Sequence, residues 1–221
     1  MAKDFSKKRH KISLFWLFYD HCRWILFPFF MLIFRPKIRY INKNKTKKFL
    51  KHNGALIIAN HISFMDPLML QFTFLYRRIH TMTLSCNFSN RLNRFFFTRM
   101  NCFPIDPNKL DMSAARETLK RLNNDYLVAL FPEGHINFKN KEVQPFKSGI
   151  SLFALQAKKD VVPIFYYRQK KHSRFEVLIG EPVDLSFYYK NRITKEVINE
   201  VTLLLYQKEK ELEKSFFERK S

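Results

Sequence analysis

Apolar runs and amphipathic stretches alternate along most of this chain. Ala55–Ala59 (Ala-Leu-Ile-Ile-Ala) is a continuous apolar run with the length and Ile content of a buried strand. Tyr126–Phe131 is a second such run and Val161–Tyr167 a third, with Pro163 inside it. Thr81–Ser85, Cys102–Asp106 and Phe175–Ile179 read as shorter strands. Between them, Leu68–Tyr76 and Ser148–Lys158 read as buried helices. Asp111–Asn123 is amphipathic, with Ala115, Leu119 and Leu122 expected inward. Lys195–Glu218 is a long helix with a stripe at Val197, Ile198, Val201, Leu204 and Leu205. The alternation predicts an α/β protein, a layered αβα fold with a mixed, largely parallel sheet. No repeat and no linker divides residues 42–221, which read as one domain behind an N-terminal segment, residues 1–41.

That N-terminal segment breaks the alternation. A basic arm (Lys3, Lys7, Lys8, Arg9, Lys11) precedes a largely apolar, aromatic stretch, Leu14–Phe34, which is interrupted by Asp20, His21 and Arg23. Its uninterrupted part, Trp24–Phe34, contains Pro28 and is followed by Arg35-Pro36-Lys37 rather than by small residues. A signal peptide is therefore not expected. The run also falls short of the roughly 20 apolar residues that span a bilayer. Basic clusters on both flanks favour the cytoplasmic side for both ends. An interfacial or re-entrant pair of short helices is expected, with Trp16 and Trp24 near the headgroups; a core helix packed on the domain is the alternative. Residues 42–53, with Lys43, Lys45, Lys47, Lys48 and Lys51, read as a basic connector.

Charge narrows the partners. The formal net charge is +21, from 40 Lys and Arg against 19 Asp and Glu, so the complement is nucleic acid or an anionic membrane face. Asn90–Met100 interleaves Arg91, Arg94 and Arg99 with Phe95, Phe96 and Phe97, a pattern that suits either one. Three widely spaced cysteines (Cys22, Cys86, Cys102) form neither a disulfide framework nor a CxxC metal pair. A reducing, cytoplasmic setting without a metal is the expectation.

The candidate chemistry lies where strands end. Asn60-His61-Ile62-Ser63-Phe64-Met65-Asp66-Pro67 follows the first strand and enters a helix, which delivers side chains to a sheet edge where ligands bind in α/β proteins. Histidine is the residue type suited to general-base work near neutral pH, and Asp66 is a carboxylate able to orient His61. If the strands lie side by side, this loop converges with Cys102–Pro107 and Phe131–His135 on one site. Glu133, Gly134 and several lysines join it there.

Four blocks, in order, span roughly residues 54 to 166: Asn-His-x-x-x-x-Asp at 60–66, Phe-Pro-Glu-Gly at 131–134, Phe-Lys-Ser-Gly at 146–149 and Val-Pro-Ile at 162–164. Together they resemble the glycerolipid acyltransferase family, whose best-known members are the 1-acyl-glycerol-3-phosphate acyltransferases. The resemblance implies transfer of a fatty acyl group from a thioester, acyl-CoA or acyl carrier protein, to the hydroxyl of a lysolipid. His61 would be the general base and Asp66 its orienter. Asn60, Glu133, Gly134 and Lys147 would contact the acceptor, with His135 a further neighbour. The substrate supplies the hydroxyl, so the resemblance implies no enzyme nucleophile, cofactor or metal. It also implies an enzyme held at the cell membrane, peripheral or monotopic on the cytoplasmic face.

Two departures bear on the acceptor. Pro107 stands where the family's second block carries Arg, and the third block continues Glu133-Gly134-His135-Ile136-Asn137 without its usual Arg. Those arginines are associated with the acceptor's phosphate, a role suited to bidentate guanidinium geometry. Here Lys109, Lys139, Lys141 or Lys147 would supply the charge, or the head group differs, as in a lyso-ornithine lipid. The phosphate is favoured. A nucleic-acid-binding protein and an inactive lipid scaffold are the competing readings; the ordered blocks weigh against the first, the intact His61 and Asp66 against the second.

Overall fold

A computed structural model describes residues 14–106, 111–138, 142–169, 174–190 and 192–220, with side chains in the first helix described from Trp24 onward. One mixed sheet carries the chain. Its strands are β1 (Lys37–Tyr40), β2 (Ala55–Ala59), β3 (Ile79–Leu84), β4 (Cys102–Ile105), β5 (Leu127–Leu130), β6 (Val161–Tyr167) and β7 (Glu176–Ile179). They lie in the order β1-β7-β6-β2-β5-β3-β4. The block from β6 to β4 is parallel throughout, whereas β7 runs antiparallel to β6 and parallel to β1. The five residues of β2 are all buried, as its uninterrupted apolar sequence requires of a strand covered on both faces.

Helices cover both faces. One face buries Ala55, Ile57, Ala59, Ile164 and Tyr166 against α1 (Leu14–Phe34) and α3 (Asp66–Thr73), with Leu50 of α2 (Lys43–His52) in the same cluster. The other buries Leu56, Ile58, Val128 and Leu130 against α5 (Met112–Asn123), α6 (Gly149–Ala157) and α7 (Lys195–Glu218). A 3-10 turn (Ser85–Phe88) and α4 (Arg91–Arg99) connect β3 to β4. Polar caps set several starts: Asn42 accepts from the Lys45 N–H, Asn90 from Asn93, and Asp111 from both Ser113 and Ala114.

Several expectations change in detail. Residues 37–40, placed in the N-terminal segment from the pattern, form the edge strand β1. The basic connector is helical because its polar face meets water while Thr46 and Leu50 turn inward. Leu14–Phe34 is a single helix running through Pro28, not a pair of short ones. Packing holds it: Phe30 stacks on Phe72 of α3 with ring centroids 4.0 Å apart, and Phe27, Met31 and Phe34 join the same cluster. Among the described residues, no helix is long and apolar enough to cross a membrane. In α5 Leu122 is buried and Leu119 packs against the same core, as expected, while Ala114 and Thr118 rather than Ala115 complete the buried stripe. The Thr118 hydroxyl donates to the Ala114 carbonyl at 2.8 Å, which lets a polar residue occupy a core position.

Topology places the site. From β2 the chain leaves through α3 across one face of the sheet, and from β5 it leaves through α6 across the other. The neighbouring carboxyl ends of β2 and β5 therefore flank a topological switch point, where open α/β sheets bind ligands. β4 is separated from β5 by β3, two strand spacings or about 10 Å away. The third expected loop, Cys102–Pro107, leaves the described residues after Asp106.

Candidate active site

The His61 loop is built around one carboxylate. Asp66 is the first residue of α3, fully buried, and it folds back over the loop that precedes it. Its Oδ2 accepts from the backbone N–H groups of Ile62 (2.7 Å) and Ser63 (2.8 Å) and sits 2.8 Å from His61 Nδ1. Two amide donors on Oδ2 leave that oxygen only an accepting role. His61 Nδ1 must therefore carry the proton, which leaves Nε2 with a free lone pair. The five-residue spacing works because Asp66 reaches back from a helix start rather than along one helical face. Burial pushes the Asp66 carboxyl above its ordinary value, against the His61 contact and the two amides that hold it down. The location at a helix N-terminus favours its charge.

Loop 131–138 supplies the other wall. Register sets Ile58 beside Leu130, so the residues that follow emerge together, and the His61 ring stacks on Phe131 at 4.1 Å. The Asn137 N–H donates to the His61 carbonyl at 2.7 Å and ties the loops together. Gly134 turns the chain at φ +73°, a left-handed backbone conformation that favours glycine. A Cβ there would lie 2.5 Å from Lys147 Nζ, so the Lys147 side chain runs directly over this turn. The Lys147 N–H donates to the Pro132 carbonyl at 2.9 Å. His61, Asp66, Glu133, Gly134 and Lys147 are thus brought to one edge of the sheet. His135 sits beside them, its Nδ1 3.0 Å from the Glu133 carbonyl.

Asn60 is placed differently. It is buried, and its amide is spent on backbone: Nδ2 donates to the Tyr166 carbonyl (3.0 Å) and Oδ1 accepts the Tyr166 N–H (2.7 Å). The side chain extends the β2–β6 pairing beyond the last ladder residue, which locks the loop entrance. Pro107, Lys109, Lys139 and Lys141 lie outside the described residues, as does the basic arm at residues 1–11.

The structure adds residues that no sequence block flags. Glu209 and Glu213 of α7 are buried behind Glu133. Burial raises the Glu209 carboxyl well above the ordinary range, with Glu133 and Glu213 adding to the effect. Glu213 ion-pairs with Lys210 at 2.6 Å. The sequence signal was there to read: Val201, Leu205, Glu209, Leu212 and Phe216 continue one apolar stripe, and an acid inside it invites a question. Arg168, one residue past β6, brings a guanidinium into the electrostatic neighbourhood of Asp66 and lies 4.7 Å over the Phe175 ring. Among the described residues no group of three His, Cys, Asp or Glu side chains is arranged to hold a metal ion.

Glu133 connects the site to pH. Burial pushes its carboxyl up to about 7, opposed by the Gln144 and His61 N–H groups and assisted by Asp66 and Glu213. A raised carboxyl binds its proton more tightly in the folded state. Its contribution to stability is therefore complete below the ordinary 4.5 and is lost as pH rises towards 7. One such proton gives a slope of at most about 1.4 kcal/mol per pH unit. Buried His80, pushed down to about 3 by burial with Arg121 and Arg78, opposes that slope until the unfolded-state imidazole is neutral. Glu133→Gln isolates the carboxyl. Thermal unfolding from pH 4.5 to 7.5 should show wild type losing stability relative to the variant, and parallel curves would refute the shift.

Comparison with known proteins gives the family. A family model described as Acyltransferase matches residues 37–167, more than half of the chain. The chain belongs to the acyltransferase family. It is an O-acyltransferase of the glycerolipid type, as the four ordered blocks lead one to expect. Among its relatives is a 1-acyl-sn-glycerol-3-phosphate acyltransferase of Bacillus subtilis, 27% identical over 167 residues, covering 73% of this chain and 82% of that protein. A second protein of the same name, from Streptococcus pneumoniae, is 24% identical over 138 residues, covering 59% of this chain and 50% of the relative. The acyltransferase fold is shared with the crystal structure of the 1-acyl-sn-glycerophosphate acyltransferase PlsC from Thermotoga maritima. The TM-score is 0.62 at 16% identity, with 90% of this chain and 78% of that one covered.

Proposed function

We propose that this acyltransferase moves a fatty acyl group from acyl-CoA or an acyl carrier protein thioester to the free hydroxyl of 1-acyl-glycerol-3-phosphate, in phospholipid biosynthesis. The observation that carries the reading is the His61–Asp66 pair at the switch point, with Nδ1 bound by a buried carboxylate and Nε2 left to accept a proton. His61 Nε2 takes the hydroxyl proton as the acceptor oxygen attacks the thioester carbonyl. Asp66 supports the imidazolium that forms. The tetrahedral intermediate then collapses, the C–S bond breaks, and the leaving thiolate recovers the proton from His61. The acceptor supplies the nucleophile, and no step calls for a cofactor.

Among the described residues, Lys147 over Gly134 and Arg168 in the electrostatic neighbourhood of Asp66 support phosphate recognition by these two cations. The relatives' names support a lysophosphatidic acid acceptor. Glu133 and Gly134 shape the acceptor wall. Asn60 acts by positioning, because both ends of its amide are engaged by Tyr166. The enzyme sits on the cytoplasmic face of the membrane, peripheral or monotopic, through the outward apolar strip of α1: Trp24, Ile25, Leu26, Phe29, Leu32 and Ile33.

A lysolipid panel tests the reading. The purified protein is given acyl-CoA, or acyl carrier protein thioester, with lysophosphatidic acid or lyso-ornithine lipid, and free thiol is measured. Release with lysophosphatidic acid is expected. Release only with the phosphate-free lipid reverses the head-group assignment, and no release with any lysolipid overturns the function.

A further inference from the structure

The helix α4 is an element the catalytic reading leaves unused. None of its nine residues is buried, although three are Phe and one is Leu. Leu92 is 76% exposed, Phe95 52% and Phe96 51%. The same helix carries Arg91, Arg94 and Arg99 and no acid, and the Arg99 guanidinium lies 4.7 Å over the Phe95 ring. An exposed strip of large apolar side chains on a helix whose charged residues are all cations, in a chain of net charge +21, is complementary to an apolar surface edged with anions.

Topology says where this strip points. The connections β2–α3–β3 and β3–α4–β4 advance across the sheet in the same direction. Right-handed crossovers then put α3 and α4 on one face. A direct contact agrees: Gln71 of α3 donates to the carbonyl of Met100, the residue that caps α4, at 2.9 Å. On the same face α1 packs against α3 through Phe27 and Phe30 on Phe72. The exposed apolar sides of α1 and α4 thus belong to the face whose central helix, α3, begins at the His61 loop. Phe64 of that loop is also exposed and meets Phe138 of the opposite wall at 5.3 Å between ring centroids.

We propose that α4 is a second membrane-docking element, which inserts Leu92, Phe95 and Phe96 among anionic lipids while Arg91 and Arg94 engage the headgroup phosphates. It rests on the lysolipid acyltransferase reading, in which the acceptor is itself a membrane lipid. A lone helix such as α1 permits the protein to roll about its axis; a second contact across α3 removes that freedom and holds the mouth of the site against the bilayer. Single-stranded nucleic acid is less well matched. Phe96 and Phe97 pack edge to face at 5.6 Å rather than offering parallel faces to successive bases.

The test uses the full-length protein with vesicles of phosphatidylglycerol and phosphatidylcholine, or of phosphatidylcholine alone. One variant combines Leu92→Ser, Phe95→Ser and Phe96→Ser, and a second combines Arg91→Ala and Arg94→Ala. None of these side chains is buried, so unfolding temperatures should stay close to wild type. The triple Ser variant should bind mixed vesicles at least tenfold more weakly. The double Ala variant should lose part of the preference for phosphatidylglycerol and part of the salt dependence. A polarity-sensitive dye at Leu92→Cys, with Cys22 and Cys86 changed to Ser, should shift to the blue on mixed vesicles. Unchanged vesicle affinity in both variants, an unshifted dye, or variants that lose affinity for polyuridylate while keeping vesicle binding would each overturn the proposal. Turnover of a short-chain lysophosphatidic acid below its micellar concentration should be the same in all these proteins. Its absence in wild type would instead refute the enzymatic reading, leaving the vesicle result to stand separately.

Discussion

His61→Ala should remove acyl transfer while leaving the fold in place. The imidazole is the group at the switch point with a free nitrogen lone pair held by a buried partner, and positioned proton transfer of this kind supplies about 10²–10⁴-fold. A loss of kcat of at least that order is expected in a thiol-release assay. The fold survives because the loop's main restraints are backbone: the Ile62 and Ser63 N–H bonds to Asp66, and the Asn137 N–H bond to the His61 carbonyl. What goes is the stack on Phe131 and one partner of a buried carboxylate, which costs about 1–3 kcal/mol. Added imidazole should restore part of the rate by occupying the space above Phe131. Wild-type turnover by the variant would end the general-base mechanism.

Asp66→Asn should be nearly as damaging, for a more specific reason. The oxygen of the new amide must stay where Oδ2 now stands, because two backbone N–H groups point at that position. The amide nitrogen then occupies the Oδ1 position, which is buried and without a hydrogen-bond partner. His61 keeps its Nδ1–H bond and its tautomer but loses the negative charge that supports the imidazolium. A fall in kcat of roughly 10²–10³ is expected, short of the about 10⁴ seen where such a substitution installs the wrong tautomer. The orphaned amide nitrogen should cost about 1–3 kcal/mol of stability, read by denaturant unfolding. Wild-type kcat in the variant would mean that Asp66 lends His61 no supporting charge in the working enzyme.

Much of this architecture is legible in the chain because burial writes itself into composition. A strand covered on both faces has to be apolar throughout, so β2, β5 and β6 stand out as runs such as Ala55–Ala59. The short edge strand β1 carries no such mark. Its sequence, Lys-Ile-Arg-Tyr, pairs on one side alone and by pattern falls in with the N-terminal segment. Helices with polar surroundings hide in the same way: α2 keeps its helical character under a run of lysines because only Thr46 and Leu50 face the core. In α5 the core takes Leu119 and Leu122 as the pattern indicates, and also Thr118, whose hydroxyl is satisfied by the Ala114 carbonyl and whose polarity hides it from the pattern.

For the site, the sequence by itself determined the chemical groups and their order. His61 and Asp66 lie close enough in the chain for a helix start to join them, and Phe131–Gly134 follows a strand that had to be buried. The resemblance carried by the four blocks supplied the reaction, and the family match agrees with it. Only the tertiary structure decided which strand ends meet. Pairing of β2 with β5 puts His61 on Phe131. It alone committed Asn60 to the Tyr166 backbone, set Arg168 near Asp66, and buried Glu209 behind Glu133. The physical reason is distance along the chain. Short-range geometry follows from local residue types, but contacts across 70 to 106 residues, such as Asn60 with Tyr166 or Val143 with Glu213, exist only once the sheet order is set.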